Sequence, residues 1–185
     1  MKRSLIERLE QTEGAEIAEA ALVLPLVFMF LLGIVWFGRA FNIYSTITQA
    51  AQRGAITAAR PTCATCGAPG GNWMGTNFPG DTAVLAAVHS VTDPSNLDRN
   101  SITGDTPSPA PAFCTEPPPT PAGACTASTS PVTVCRLVWL NNPSTPQQCG
   151  VIVRFQYPFQ FFLPFTSLSL QQVNMTAEAQ VRMEN

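Results

Sequence analysis

The spacing of hydrophobic and polar residues changes along this chain. The first pattern is an unbroken apolar run. From Ala20 to Gly38, 19 residues carry no charge, with Glu19 on one side and Arg39 on the other. At about 1.5 Å per residue in a helix this run reaches roughly 28 Å, close to the ~30 Å hydrocarbon thickness of a bilayer. The run predicts a helix that can span a membrane.

The helical pattern continues after Arg39. Apolar, aromatic and small residues recur at steps of three and four, a spacing that indicates one helix face: Phe37, Phe41, Tyr44, Thr48, Ala51, Ala55 and Ala58. We therefore predict a single helix over residues 15–60 whose first half is transmembrane. Pro61 should end it, because the residue before a proline is pushed out of the α region.

Two ladders of small residues run along the second half of this predicted helix. They are Ala50, Gly54 and Ala58, and Ala51, Ala55 and Ala59. One interpretation is that alanine was selected for helix propensity. The other is that small side chains allow close packing against a sheet or a neighbouring subunit. The sequence favours neither.

The period becomes two near the end of the chain, which indicates strands. Alternation is clear over residues 151–157 and strictest over residues 173–183, where one face is polar. A third strand is predicted over residues 132–140, interrupted at Arg136, with a turn over residues 141–146. Beside these strands lies an aromatic cluster that either covers the sheet or meets a partner: Phe159, Phe161, Phe162, Leu163 and Phe165.

Loops dominate between the predicted helix and sheet. Asp81 can cap a short helix to about residue 90, with Val84, Leu85 and Val88 on one face. His89 ends that helix as a surface or capping residue, since no nucleophile pattern accompanies it. Prolines over residues 92–131 predict a long surface excursion without a packed core. The predicted divisions are a leader over 1–14, the helix over 15–60, Cys- and Pro-rich loops with a short helix over 61–131, and an antiparallel sheet over 132–185.

All six cysteines follow the apolar run: Cys63, Cys66, Cys114, Cys125, Cys135 and Cys149. This asymmetry suggests an oxidising compartment and structural disulfides. A pairing of Cys135 with Cys149 across the predicted turn is one of fifteen connectivities that six cysteines allow. A redox role for Cys63-Ala-Thr-Cys66 is disfavoured because the pair follows a helix C-terminus. Zinc would need two more ligands, and His89 is the single histidine, so we expect no metal and no other cofactor.

Charge narrows the function classes further. Only 12% of the residues are charged, about half the usual fraction. With a net charge of -2 and a single lysine, the chain has no basic patch for a phosphate backbone, and we expect no nucleic-acid partner. The chain also has no recognisable catalytic set, so we expect it not to be an enzyme. Three basic residues precede the apolar run: Lys2, Arg3 and Arg8. Their positive charge slightly favours an N-terminus in the cytoplasm.

A family resemblance rests on the residues around the start of the apolar run. Gly14 and Ala15, followed by Glu19 and then directly by apolar helix, resemble the class III signal of type IV pilins and pseudopilins. The sequences Glu19-Ala-Ala-Leu-Val-Leu-Pro25-Leu and Thr48-Gln-Ala-Ala-Gln-Arg53-Gly-Ala are similar to TadE, the minor pseudopilin family of tight-adherence (Tad, or Flp) pili. The resemblance is close over residues 13–60 and loose over residues 172–184, and residues 61–149 match nothing.

This resemblance implies roles for three residues. Gly14 would precede the bond cut by a prepilin peptidase, Ala15 would become the new N-terminus, and Glu19 would guide helix register during assembly. Without a family role, Glu19 is simply an acid in the first turns of a helix, where the helix dipole favours it. An aromatic residue near the cut, usual in major pilins, is absent, which makes a self-polymerising pilin less consistent with the sequence.

We therefore expect an α+β protein with a long N-terminal helix, a small antiparallel sheet and a Cys/Pro-rich loop region. Its expected place is a bacterial inner membrane, crossed once, with the C-terminal domain in the periplasm. The expected partners are the lipid bilayer, the prepilin peptidase, other pilins or pseudopilins and the inner-membrane assembly platform. Whether it enters the extracellular fibre, caps its tip or remains an assembly factor is left open.

Two alternatives make different predictions. An uncleaved signal-anchored protein with a periplasmic binding or structural domain unrelated to pili would keep Met1. A membrane-tethered thiol oxidoreductase would use Cys63 and Cys66, and would show a reactive thiol when folded.

Overall fold

The computed structural model describes residues 2–60, 78–114, 124–126, 131–141, 148–160 and 172–183, with side chains described from Ile17 onward. The first element is helix α1, Lys2–Ala59, which contains Pro25 and ends two residues before Pro61. Helix α2 spans Asp81–Thr92. The strands are β1 (Thr103–Gly104), β2 (Ala124–Thr126), β3 (Thr133–Trp139), β4 (Cys149–Phe159) and β5 (Val173–Arg182). The predicted α+β fold class, with its long N-terminal helix and antiparallel sheet, is confirmed.

Strand β4 is the centre of the described sheet. Its one side pairs antiparallel with β5 over ten consecutive residue pairs, from Gly150 opposite Arg182 to Phe159 opposite Val173. Along its other edge, β4 pairs antiparallel with β3 through residues 149–154 and with β1 through Phe155 and Gln156. Strand β2 pairs with the far edge of β3. The chain divides into two compact units, Met1–Asn42 and Ile43–Asn185; the sheet and the last part of α1 belong to the second.

The core of the second unit is built from small residues of α1 and branched residues of the strands. Ala51, Ala55, Val151, Val153 and Phe155 are fully buried and belong to one hydrophobic cluster, to which α2 adds Val84 and Val88. Burying a valine or phenylalanine side chain contributes about 1.5–3 kcal/mol, so the branched and aromatic strand residues supply most of the stabilisation. The alanines let the helix backbone approach them.

Strand β3 contains a bulge at the place where the sequence pattern breaks. The pairing register with β4 shifts between Arg136 and Val138, and the extra residue, Leu137, has a left-handed backbone with φ 57°. Such a conformation is uncommon for a residue other than glycine, but here it turns Leu137 into the core, where it is 1% exposed. The interruption predicted at Arg136 is thus a bulge within a continuous strand.

Three expectations from the sequence are wrong in the described residues. The first is the pairing of Cys135 with Cys149: Cys135 is bonded to Cys125 and Cys149 to Cys114. The reason is the register of the hairpin, which sets Cys149 opposite Trp139 and leaves Cys135 opposite Ile152.

The second concerns Asp81, which does not cap α2. The N-cap is Gly80, and no side chain caps it. Asp81 instead forms an ion pair of 2.7 Å with Arg136 Nη1, and Arg136 Nη2 donates a hydrogen bond to the Pro79 carbonyl at 3.0 Å. The helix dipole still favours an acid in the first helical turn, but the ion-pair partner of Asp81 lies on the sheet.

The third is the expectation of a coreless excursion over residues 92–131. Leu97 and Ile102 join the main core, and β1 pairs with β4. Residues 95–106 contain no proline, so nothing prevents this part from forming a 3-10 turn and a short strand. In the aromatic cluster Phe159 is 2% exposed; its other members, most of the turn at 141–146, Cys63 and Cys66 lie outside the described residues.

Candidate functional site: the N-terminal helix

Helix α1 carries the residues of the pilin-like signal. Gly14, Ala15 and Glu19 all lie within it, so about 7.5 Å of helix rise separates Gly14 from Glu19. Ala15 and Glu19 stand four residues apart, the spacing at which side groups share one face. The Glu19 side chain is exposed. This arrangement places a carboxylate one helical turn from the proposed new N-terminus.

The segment after Glu19 has an apolar surface with nothing over it. Most large side chains from Ile17 to Phe41 are exposed, with Leu22, Met29, Phe37 and Phe41 at 73% or more. In a water-soluble protein such a continuous patch would be unusual. Among the described residues there is one helix long and apolar enough to cross a bilayer, and it contains this segment. A single N-terminal apolar helix of this kind suggests membrane anchoring.

An aromatic and basic group marks the far end of the apolar segment. The guanidinium carbon of Arg39 lies 5.6 Å from the centroid of the Trp36 ring, a distance at which a cation is attracted to an aromatic face. Tyr44, a further turn along, is half exposed. Tryptophan, tyrosine and arginine are typical of the membrane–water boundary.

The small residues Ala50, Gly54 and Ala58 follow in the second unit, and all three are buried. A Cβ atom built on Gly54 would lie 2.9 Å from Val88 Cγ2, 3.4 Å from Val153 Cγ1 and 3.5 Å from Val84 Cγ1. The first distance is shorter than carbon atoms tolerate, so α1, α2 and β4 meet at a point that only glycine fits. The packing partner of this ladder is the chain's own sheet unit.

The four described cysteines are all in disulfides, and none of them is free. Cys125–Cys135 ties β2 to β3 and Cys114–Cys149 ties the segment before β2 to β4. No group of three potential metal ligands occurs in the described part of the chain. His89 lies in the last turn of α2, and its Nε2 is buried with no hydrogen-bond partner among the described residues.

One charged cluster was missed by reasoning from the sequence. Arg154 on β4 forms ion pairs with Asp105 at 2.7 Å and with Glu178 of β5 at 3.0 Å. Burial opposes the charge of Arg154, but hydrogen bonds and attraction from the two carboxylates outweigh it and raise the pKa of Arg154 above its ordinary value. The sequence feature that could have predicted this cluster is Arg154 itself, because an arginine inside an apolar strand needs carboxylate partners.

The N-terminal helix also carries the likeness to known proteins. Residues 14–55 match the family model described as TadE-like protein, which confirms the resemblance over this segment and indicates a protein associated with the Tad pilus. No curated protein and no solved structure gave a significant match. The match begins at Gly14 and includes Glu19, the exposed apolar segment and the start of the buried ladder.

Proposed function

We propose that this chain is a minor pseudopilin of a Tad pilus, cut by a prepilin peptidase between Gly14 and Ala15, and that it acts in pilus assembly, initiation or regulation. In this role it is a substrate of the peptidase and not itself an enzyme. The observation that carries the proposal is the TadE-like match over residues 14–55, which starts at the glycine before the proposed cut and runs through the exposed apolar segment.

The proposed mechanism centres on Glu19. A carboxylate at the centre of a membrane helix costs on the order of 2.5–3.5 kcal/mol, and less near the edge. Cleavage after Gly14 would create an α-amino group on Ala15, which is largely protonated at neutral pH because its pKa is about 7.7–8.0. That amine, from the same chain or a neighbour, would offset the Glu19 charge and lower the cost of moving the helix from the membrane into an assembly.

The sheet unit would then be the part that meets other subunits outside the membrane. Its disulfides are consistent with an oxidising periplasm. The proposed partners are other pilins or pseudopilins and the inner-membrane assembly platform, with the N-terminus in the cytoplasm. Incorporation into the extracellular fibre is one proposed outcome of assembly.

Deletion of the gene and complementation with variants test this proposal. Wild type should restore pilus number, Glu19→Ala should be cleaved normally but restore few pili, and the matched control Glu16→Ala should behave like wild type. Pilus number would be counted by electron microscopy and cleavage by the mass of the chain. Normal piliation in the deletion strain would refute the pilus function, and normal piliation with Glu19→Ala would refute the role of the carboxylate.

A further inference from the structure

Strand β5 is paired along one edge only. Its ten residue pairs with β4 run without a break from Arg182 to Val173, and no described residue pairs with its other edge, here called the free edge. In an antiparallel pair, successive residues point their N–H and C=O groups alternately toward the partner strand and away from it. Half of the β5 backbone therefore faces the free edge.

One hydrogen bond identifies the residues that face the free edge. The Met183 amide, just after β5, donates to the Cys149 carbonyl at 3.1 Å, so the odd-numbered residues of β5 direct their backbone groups toward β4. Pro158 agrees with this alternation, because it lies opposite Asn174, where β4 needs no N–H toward β5. The residues whose N–H and C=O groups face the free edge are Asn174, Thr176, Glu178, Gln180 and Arg182.

This row of backbone groups indicates the kind of partner. Alternating donors and acceptors at the spacing of a strand are matched by another extended backbone, and addition of a strand to an exposed sheet edge is a recurring mode of peptide recognition. Strand β5 contains no proline and no bulge against β4, two features that would make an edge unsuitable for pairing. The free edge thus keeps the geometry that a further strand needs.

Apolar surface on one face of β5 adds to the backbone groups. The odd-numbered side chains lie on the face that packs against α1, where Ala177 and Ala179 are buried in the main core. Val173 is 45% exposed, and Met175 and Val181 are partly buried. An added strand with apolar residues at alternate positions would cover these three side chains, and cross-strand apolar pairs stabilise a sheet.

The charge at the middle of the free edge disfavours a second copy of β5 as the partner. Glu178 is the third of the five residues that face this edge, so an antiparallel pair of two β5 strands that used all five would set Glu178 opposite its own copy. Its surroundings carry one arginine, Arg154, against two carboxylates, those of Glu178 and Asp105. Like charges directly opposite each other destabilise a strand pair, so a strand with a basic residue at its centre fits better.

From these features we infer that the free edge of β5 binds an extended segment of a different polypeptide, with apolar residues on the α1 side and a basic residue opposite Glu178. The inference concerns the sheet unit and goes beyond the proposed function, since it does not depend on processing of the N-terminus. The purified chain tests it, whereas counts of pili test the proposed function, so either can fail without the other.

The test uses the full chain in a zwitterionic detergent and the fluorescent peptide Thr-Val-Thr-Val-Lys-Val-Thr-Val-Thr, titrated by fluorescence anisotropy. In antiparallel pairing its lysine lies opposite Glu178 and its valines lie on the α1 side. Two methylated forms are compared. N-methyl groups on the fourth and sixth residues point away from β5, and this outward form should bind saturably. N-methyl groups on the third and seventh residues point at β5, and this inward form should bind at least about tenfold more weakly, because hydrogen bonds are lost.

Variants of the protein test the same edge. Gln180→Pro removes an N–H that faces the free edge and none that bonds to β4, a position at which an edge strand tolerates proline. It should bind the outward form at least about tenfold more weakly than Gln180→Ala, the matched control that keeps this N–H. Near-UV circular dichroism checks folding, and if Gln180→Pro does not fold, the two methylated peptides decide the question.

A peptide with glutamate in place of the lysine tests the charge at the centre of the edge. Wild type should prefer the lysine peptide by about two- to fivefold, the effect of one cross-strand charge pair. Glu178→Gln should lose this preference, and Asp105 still pairs with Arg154 in that variant.

Four results would overturn the inference. The first is no saturable binding of the outward form. The second is equal affinity for the outward and inward forms, which would mean that backbone pairing is not involved. The third is equal affinity of wild type for the lysine and glutamate peptides. The fourth is a dimer of the wild-type chain in analytical ultracentrifugation that Gln180→Pro abolishes, which would mean that a second copy occupies the free edge.

Discussion

Gly54 and Val88 set the distance between α1 and α2, because a Cβ atom on Gly54 would lie 2.9 Å from Val88 Cγ2. Glycine in a helix interior costs about 1 kcal/mol relative to alanine. A glycine at this position is therefore explained by close packing and not by helix propensity.

Replacing Gly54 by a large residue should weaken the sheet unit. Gly54→Leu forces Val88, Val84 and Val153 apart, and overpacking of this kind costs about 1–3 kcal/mol. Gln52→Leu, an exposed position on the same helix, should change the free energy of unfolding by less than about 0.5 kcal/mol. Denaturant titration followed by near-UV circular dichroism measures both, and equal effects would contradict the packing described.

The ion pair between Arg136 and Asp81 should stabilise the docking of α2. The Arg136 side chain is 12% exposed, and it contacts both Asp81 and the Pro79 carbonyl. Arg136→Met leaves these two acceptors without their donor, and we expect a loss of about 2 kcal/mol in the free energy of unfolding. Arg182→Met, at an exposed position of β5, is the matched control and should leave the free energy of unfolding nearly unchanged. A similar loss in that variant would argue against a specific role for Arg136.

The two described disulfides should differ in their contribution to the free energy of unfolding. Cys114 and Cys149 are 35 residues apart and Cys125 and Cys135 are 10 apart. In the chain-entropy account this corresponds to about 4 and about 3 kcal/mol. The double variant Cys114→Ala/Cys149→Ala should therefore unfold at lower urea concentration than Cys125→Ala/Cys135→Ala. The opposite order would show that local packing of the β2–β3 pair outweighs loop length.

Asp93 should titrate at lower pH than an ordinary aspartate. A hydrogen bond from Arg99 lowers the pKa of Asp93 below 3.8, with further attraction from the charges of Arg99 and His89. Because the folded-state pKa is depressed, the stabilisation is present above the unfolded-state pKa and is lost as pH falls through the folded-state pKa. Carboxyl-detected NMR should show this pKa rise toward 3.8 in Arg99→Gln and stay unchanged in Arg53→Gln. An unchanged pKa in Arg99→Gln would contradict the pairing.

The sequence predicted those parts of the fold that repeat a simple period. The apolar run after Glu19 and the alternation around Ala177 and Ala179 each reflect a single surface, so α1 and β5 follow from local pattern. The burial of strand β4 was harder to predict from the sequence, because its second face is also partly buried. Ile152 on that face lies in a small cluster with Cys135 and Val138.

Features that depend on contacts distant in the sequence were not predictable. The disulfide partners follow from the register between β3 and β4, which the bulge at Leu137 shifts. The Arg154 cluster joins residues 49 and 24 positions apart. For the candidate site, the sequence supplied Gly14, Ala15 and Glu19, whereas the contact of Gly54 with Val88 required the structure.

The N-terminal residue of the mature protein tests the central claim most directly. The intact mass and terminal peptide would be determined from membranes of cells with and without their prepilin peptidase. The account predicts a terminus at Ala15 in the first case and the uncut chain in the second. A terminus at Met1 in both would contradict it and favour an uncleaved anchor. A terminus at Phe41, which secretory signal-peptide cleavage after the sequence Gly38-Arg39-Ala40 would leave, would make the chain a secreted protein.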